Sequence, residues 1–125
     1  MHTEIGVDLI EIDRIARSLE NPRFLGRVFS LGEQAYLAGL AHRRQQQSAA
    51  ANFAAKEAFL KTLGPQIGRV KFCEIEVLRE ASGRPVLRYL GPDERLRRGR
   101  YRVSLSHDRG RAVAVVLAQW EEDEA

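Results

Sequence analysis

Asp8 stands in the run Ile5-Gly6-Val7-Asp8-Leu9-Ile10-Glu11-Ile12, and Glu57 stands in an alanine-rich stretch that is otherwise nearly all apolar. A carboxylate in such surroundings is costly unless it is paired, hydrogen-bonded or metal-bound. For Asp8, a salt bridge to one of the arginines would suffice. Glu57 shares a helix face with Phe53 and Lys61, at i, i+4 and i+8 spacing. Two carboxylates on different elements, with a lysine nearby and no His or Cys cluster, point to a hard cation. Mg²⁺, with Mn²⁺ as a substitute, is held by one or two carboxylates plus substrate phosphates. A general acid–base pair of carboxylates is the alternative, although the Lys and Arg surroundings favour an anionic substrate.

Ser104-Leu105-Ser106-His107-Asp108 contains the residue types of a hydrolase triad. Neighbouring residues on a strand point to opposite faces, so a contiguous Ser-His-Asp cannot form one. The run reads instead as a strand end delivering His107 or Asp108 to a site assembled from other elements. No phosphate-binding glycine loop is present, and His2, His42 and His107 match no zinc spacing. Arg95, Arg97, Arg98, Arg100 and Arg102, with Tyr101 among them, form a basic run of low specificity for nucleic acid. Arg14 and Arg17, beside Asp13, could meet an acidic protein.

The elements that carry these residues follow from periodicity. Residues 5–12 are β-branched and read as a strand, followed by a helix from about Asp13 that ends by Asn21-Pro22. Ser30 and Glu33 match a capping box, opening a helix to about Leu40. Residues 48–63 form a helix apolar nearly all round, whose alanines permit close neighbours, and Gly64-Pro65 stops it. Residues 72–78 alternate, with Cys73, Ile75 and Val77 on one face, which makes Cys73 a buried hydrophobe. Further strands fall at 86–90, 101–106 and 112–120, with a short helix near Pro92. One strand, then helices, then strands joined by short turns predicts an α+β fold, an antiparallel sheet packed against a long buried helix.

With 125 residues, 44% of them hydrophobic, the chain predicts a single domain over 1–120 and an acidic tail at 121–125. Without that tail, twenty basic residues face thirteen acidic ones, a balance suited to acidic or phosphorylated partners. One cysteine, no signal pattern and no apolar run of membrane length place the chain in the cytoplasm, away from membranes.

Three blocks in order resemble the small bacterial 4′-phosphopantetheinyl transferases, the holo-[acyl-carrier-protein] synthases. They are Gly6-Val7-Asp8-Leu9 through Arg14-Ile15, Phe53-Ala54-Ala55-Lys56-Glu57-Ala58 through Lys61, and Val103-Ser104-Leu105-Ser106-His107; Gly83-Arg84-Pro85 matches a turn between family strands. The resemblance implies transfer of phosphopantetheine from coenzyme A to a serine of apo acyl carrier protein, releasing adenosine 3′,5′-bisphosphate and supporting fatty acid biosynthesis. It also implies a phosphopantetheinyl transferase-like fold and a homotrimer with active sites between subunits, with no nucleic acid or membrane partner. Asp8 and Glu57 would then hold Mg²⁺ on the pyrophosphate, and Glu57, Lys61 and His107 would be catalytic. Phe53, Lys61, Gly64, Pro85, Ser106 and His107 would contact coenzyme A, and Arg14 and Arg17 the carrier protein. The serine proton would pass to Glu57, His107, Asp108 or water. Asn52 stands where the family commonly has Arg, removing a charge near the phosphates, and Pro65-Gln66 alters the following loop.

Overall fold

The computed structural model describes residues 1–121, of which 66–68 by backbone alone. The expected acidic tail beyond Glu121 lies outside the described residues. The N-terminal run forms strand β1 (His2–Glu11), longer than its β-branched core, because it pairs along its whole length with the last strand. Helices α1 (Ile12–Ser18), α2 (Pro22–Val28), α3 (Leu31–Ala38) and α4 (His42–Lys61) follow. Strands β2 (Ile75–Arg79) and β3 (Pro85–Tyr89), the short helix α5 (Glu94–Arg97), and strands β4 (Arg100–Asp108) and β5 (Arg111–Trp120) complete the chain. The architecture is α+β, with all strand pairs antiparallel.

The strands make two sheets, β1-β5-β4 and β2-β3, where the sequence suggested one. β3 packs beside the β4 edge without pairing with it, and a surface cavity of about 230 Å³ there is lined in part by Arg84 and Arg102. Helix α4 covers one face of the three-stranded sheet. Ala112, Ala114 and Ala118 of β5 are fully buried, as are Ala50, Ala54, Ala55 and Ala58 of α4. Small residues on both sides let helix and sheet approach closely. Gly6 completes the approach: a Cβ there would lie 2.0 Å from the carbonyl oxygen of Ala58.

Three elements differ from the sequence reading. Asn21-Pro22 starts a helix as well as ending one, since Asn21 accepts from the Arg23 amide and Pro22 suits a first helical turn. Helix α4 begins at His42 rather than Ser48, because its first turns are polar and carry no apolar period. Phe72–Glu74 is a 3₁₀ turn, with Glu74 accepting from the Lys71 amide at 2.9 Å. Cys73 therefore leaves the strand alternation and is half-buried at a surface cavity, not a core hydrophobe. The capping box forms with both of its hydrogen bonds, and Gly64 ends the α4 region with φ 59°, where a Cβ would be strained.

A buried polar network ties α3, α4 and β2 together. Lys56, fully buried, donates to Glu33 Oε1 at 2.6 Å, to the Phe72 carbonyl at 3.0 Å and to the Ile75 carbonyl. Glu33, also fully buried, accepts from the Ser30 amide, Asn52 and the Val77 amide. Among the described residues no helix is long and apolar enough to cross a membrane.

Candidate active site

The inner face of β1 carries Gly6, Asp8 and Ile10, and its outer face carries Ile5, Val7 and Leu9. The expectation of a carboxylate buried by its apolar neighbours is thus corrected. Alternation turns those neighbours outward, at 67%, 53% and 58% exposure, and turns Asp8 towards α4, its side chain 18% exposed. Because Gly6 lies directly on Ala58, Asp8 comes to rest one turn further along the helix, beside Lys61. The Lys61 ammonium donates to the Val7 carbonyl at 2.8 Å and to Asp8 Oδ1 at 3.3 Å. Glu57 precedes Lys61 by one turn on the same face. Burial and the Asp8 charge push the Glu57 carboxyl above the usual carboxylate range, against the opposing pull of Lys61 and Arg14. Asp8, Glu57, Lys61 and Arg14 therefore form one electrostatic cluster.

That cluster can be tested for a metal. Among the described residues no group of three or more His, Cys, Asp or Glu is placed to hold an ion. Two neighbouring carboxylates are too few for a closed structural site. They fit Mg²⁺, which takes one or two carboxylates and completes its shell from water and phosphate.

His107 lies elsewhere in the chain. It is on the helix-facing side of the sheet, opposite Ala112, which in turn pairs with Ile10. At about 4.8 Å per strand and about 3.3 Å per residue, its Cα is roughly 12 Å from that of Asp8. It helps line a cavity of about 500 Å³ together with Pro85, Gly83, Arg44, Arg79 and Tyr36. His107 and Pro85 are thus brought together. Ser106 is exposed on the opposite face of β4, so it does not share that cavity within one chain. Gly64 is exposed beyond the end of α4. Phe53 sits between Phe24 and Phe72, at ring separations of 6.2 and 5.5 Å, and within the chain it packs α2 onto α4. Arg14 and Arg17 are both exposed on α1.

Residues passed over in the sequence reading line the same cavity. Arg79 extends the Ile75/Val77 face of β2, and an arginine on the buried face of a strand was the available signal. Arg44 sits in the polar first turns of α4, which the apolar period does not reach.

Comparison with known proteins bears on the family and the fold. Residues 4–116 match the ACPS family of the 4′-phosphopantetheinyl transferase superfamily. The chain is 45% identical over 121 residues to the holo-[acyl-carrier-protein] synthase of Moorella thermoacetica, covering 93% of each. The fold is similar to that of the Bacillus anthracis holo-(acyl-carrier-protein) synthase in complex with CoA (3′,5′-ADP). There the TM-score is 0.78, at 34% identity over 91% of this chain and 93% of that one. The Helicobacter pylori holo-[acyl-carrier-protein] synthase in complex with coenzyme A gives a TM-score of 0.79 at 28% identity, covering 93% of this chain and 100% of that one. With matches over nearly its whole length, the chain belongs to the holo-[acyl-carrier-protein] synthases, transferases of the 4′-phosphopantetheinyl transferase superfamily.

Proposed function

We propose that this enzyme transfers 4′-phosphopantetheine from coenzyme A to a serine of apo acyl carrier protein, releasing adenosine 3′,5′-bisphosphate, in support of fatty acid biosynthesis in the cytoplasm. The neighbouring carboxylates of Asp8 and Glu57, with Lys61 bonded to Asp8, carry the reading. Phosphoryl transfer asks a protein mainly for in-line positioning and charge neutralisation. Asp8 and Glu57 would hold Mg²⁺ or Mn²⁺, which when bound supplies neutralisation of the pyrophosphate charge. Lys61 offers a further cation to the same oxygens. The serine oxygen forms the new bond to phosphorus as the bond to the bisphosphate oxygen breaks. The serine proton passes to Glu57, His107, Asp108 or a water. Arg14 and Arg17, both exposed on α1, present positive charge to an acidic carrier protein.

Incubation with coenzyme A, Mg²⁺ and apo carrier protein should add about 340 Da to the carrier, the mass of one phosphopantetheine group. A carrier of unchanged mass, with an active control enzyme alongside, would refute the proposal.

The separation of the carboxylates from the cavity supports a site completed by a second copy, in a homotrimer. Ile5, Val7 and Leu9 of β1 and Val115 of β5 are exposed on the sheet face that α4 leaves open. Cross-strand register places Val7 beside Val115, so the patch is continuous. Contiguous exposed apolar surface marks association. Val7→Asp should reduce the mass seen by sedimentation to that of one chain, and transfer should be lost with it. A variant that stays fully assembled would place the subunit contacts elsewhere.

A further inference from the structure

Asn52 and Arg79 are joined by one hydrogen bond whose direction is fixed. The Asn52 amide nitrogen donates to Glu33 Oε2 and to the Val77 carbonyl, both at 3.0 Å. Its oxygen is thereby turned to Arg79, accepting from Nη2 at 3.0 Å. The guanidinium also lies over the Tyr36 ring, 5.6 Å from the centroid. Its other terminal nitrogen, Nη1, is buried and has no hydrogen-bond partner among the described residues. No carboxylate there pairs with it within 4 Å. A charged donor held in place without an acceptor is set to receive an anion.

Arg79 forms part of the wall of the 500 Å³ cavity, so the missing acceptor can come from its contents. Arg44 and His107 line the same space, and Glu80, the carboxylate among its walls, lies 3.9 Å from Arg84. Coenzyme A has three phosphates. Two form the pyrophosphate that the proposed function places at Asp8, Glu57 and Lys61, leaving the ribose phosphate for the cavity. We infer that Arg79, oriented by Asn52, binds that ribose phosphate and sets the preference for coenzyme A over its 3′-dephospho form. The inference rests on the proposed function and on the expectation that Pro85 and His107, which share this cavity, contact coenzyme A. Asn at position 52 then removes no charge from the site: the helix orients a guanidinium that strand β2 supplies.

The test compares coenzyme A with 3′-dephospho-coenzyme A in the wild type and in Arg79→Gln, with assembly checked by sedimentation. For the variant, KM for coenzyme A should rise about ten- to a hundredfold, as for a lost hydrogen bond to a charged group. KM for the dephospho form and kcat should change little. A folded variant that discriminates as well as the wild type overturns the inference and leaves the proposed function standing. A second measurement needs no variant. In the wild type, the Arg79 Nε–Hε resonance should shift with adenosine 3′,5′-bisphosphate and stay in place with adenosine 5′-monophosphate. Equal shifts with both would overturn the role of Arg79, and failure to bind either nucleotide would overturn the cavity reading as well.

Discussion

Glu57→Gln should remove nearly all transfer activity while leaving the enzyme folded and at least as stable as before. Glutamine keeps the shape of the side chain and removes its charge. The loss in kcat should be about 10²–10³-fold, the scale for deleting one electrostatic contributor to a transition state, and Asp8→Asn should match it. The stability half of the result follows from the raised Glu57 pKa, which burial causes first and the Asp8 charge second. A carboxyl whose folded pKa lies above its unfolded value destabilises the native state at pH above both values. That penalty fades as pH falls through the folded value. Glutamine carries no such penalty at any pH. Without divalent metal, the variant should therefore melt at or above the wild-type temperature near neutral pH, and the gap should close towards acid pH. Activity within tenfold of wild type, or a marked fall in melting temperature, would show that Glu57 serves the structure and not the reaction.

Lys56→Met should be the most damaging single change to stability. It removes a fully buried ammonium bonded to Glu33 and to two backbone carbonyls. Burial lowers the Lys56 pKa, and the Glu33 charge resists that fall. Taking away one partner strands the other as an uncompensated buried charge, a loss of about 3–5 kcal/mol. A domain of this size has only about 5–15 kcal/mol of stability in total. Thermal unfolding, compared at equal protein concentration, should fall by roughly 10–20 °C. Glu33→Gln should do comparable damage, because it strands the Lys56 ammonium and sets an amide NH2 against two of the four donors that Glu33 accepts from. A fall below about 5 °C for Lys56→Met would mean that the pair contributes little against well-packed apolar neighbours, as some buried pairs do.

The two neighbours Lys56 and Glu57 thus have opposite tasks, set by their positions on one helix. Lys56 points into the β2 side and holds α3 and α4 together, while Glu57 lies on the Lys61 side of the helix, within reach of the Asp8 charge. A helix advances about 100° per residue, so adjacent side chains cannot share a face. The same division explains why the Lys56-Glu57 dipeptide could be marked as a motif in the sequence while only one member lies in the site.

Much of this enzyme was legible in its residues. Capping at Ser30, the stop at Gly64-Pro65, the alternation of β4 and the choice of Asp8, Glu57 and Lys61 as side chains that could carry chemistry all rest on local period and residue chemistry, which act over a few positions. Local rules failed where tertiary partners decided. Asp8 was placed among apolar neighbours that in fact face outward, because a strand's sequence does not say which of its two faces meets the helix. The burial of Lys56 depended on a glutamate 23 residues away, and no periodicity encodes that pairing. Arg79 and Asn52 met only when β2 packed beside α4. The sequence determined which elements form and which side chains carry chemistry. The tertiary structure decided which of them meet, because meeting depends on close packing between elements distant in the chain, such as Gly6 against Ala58.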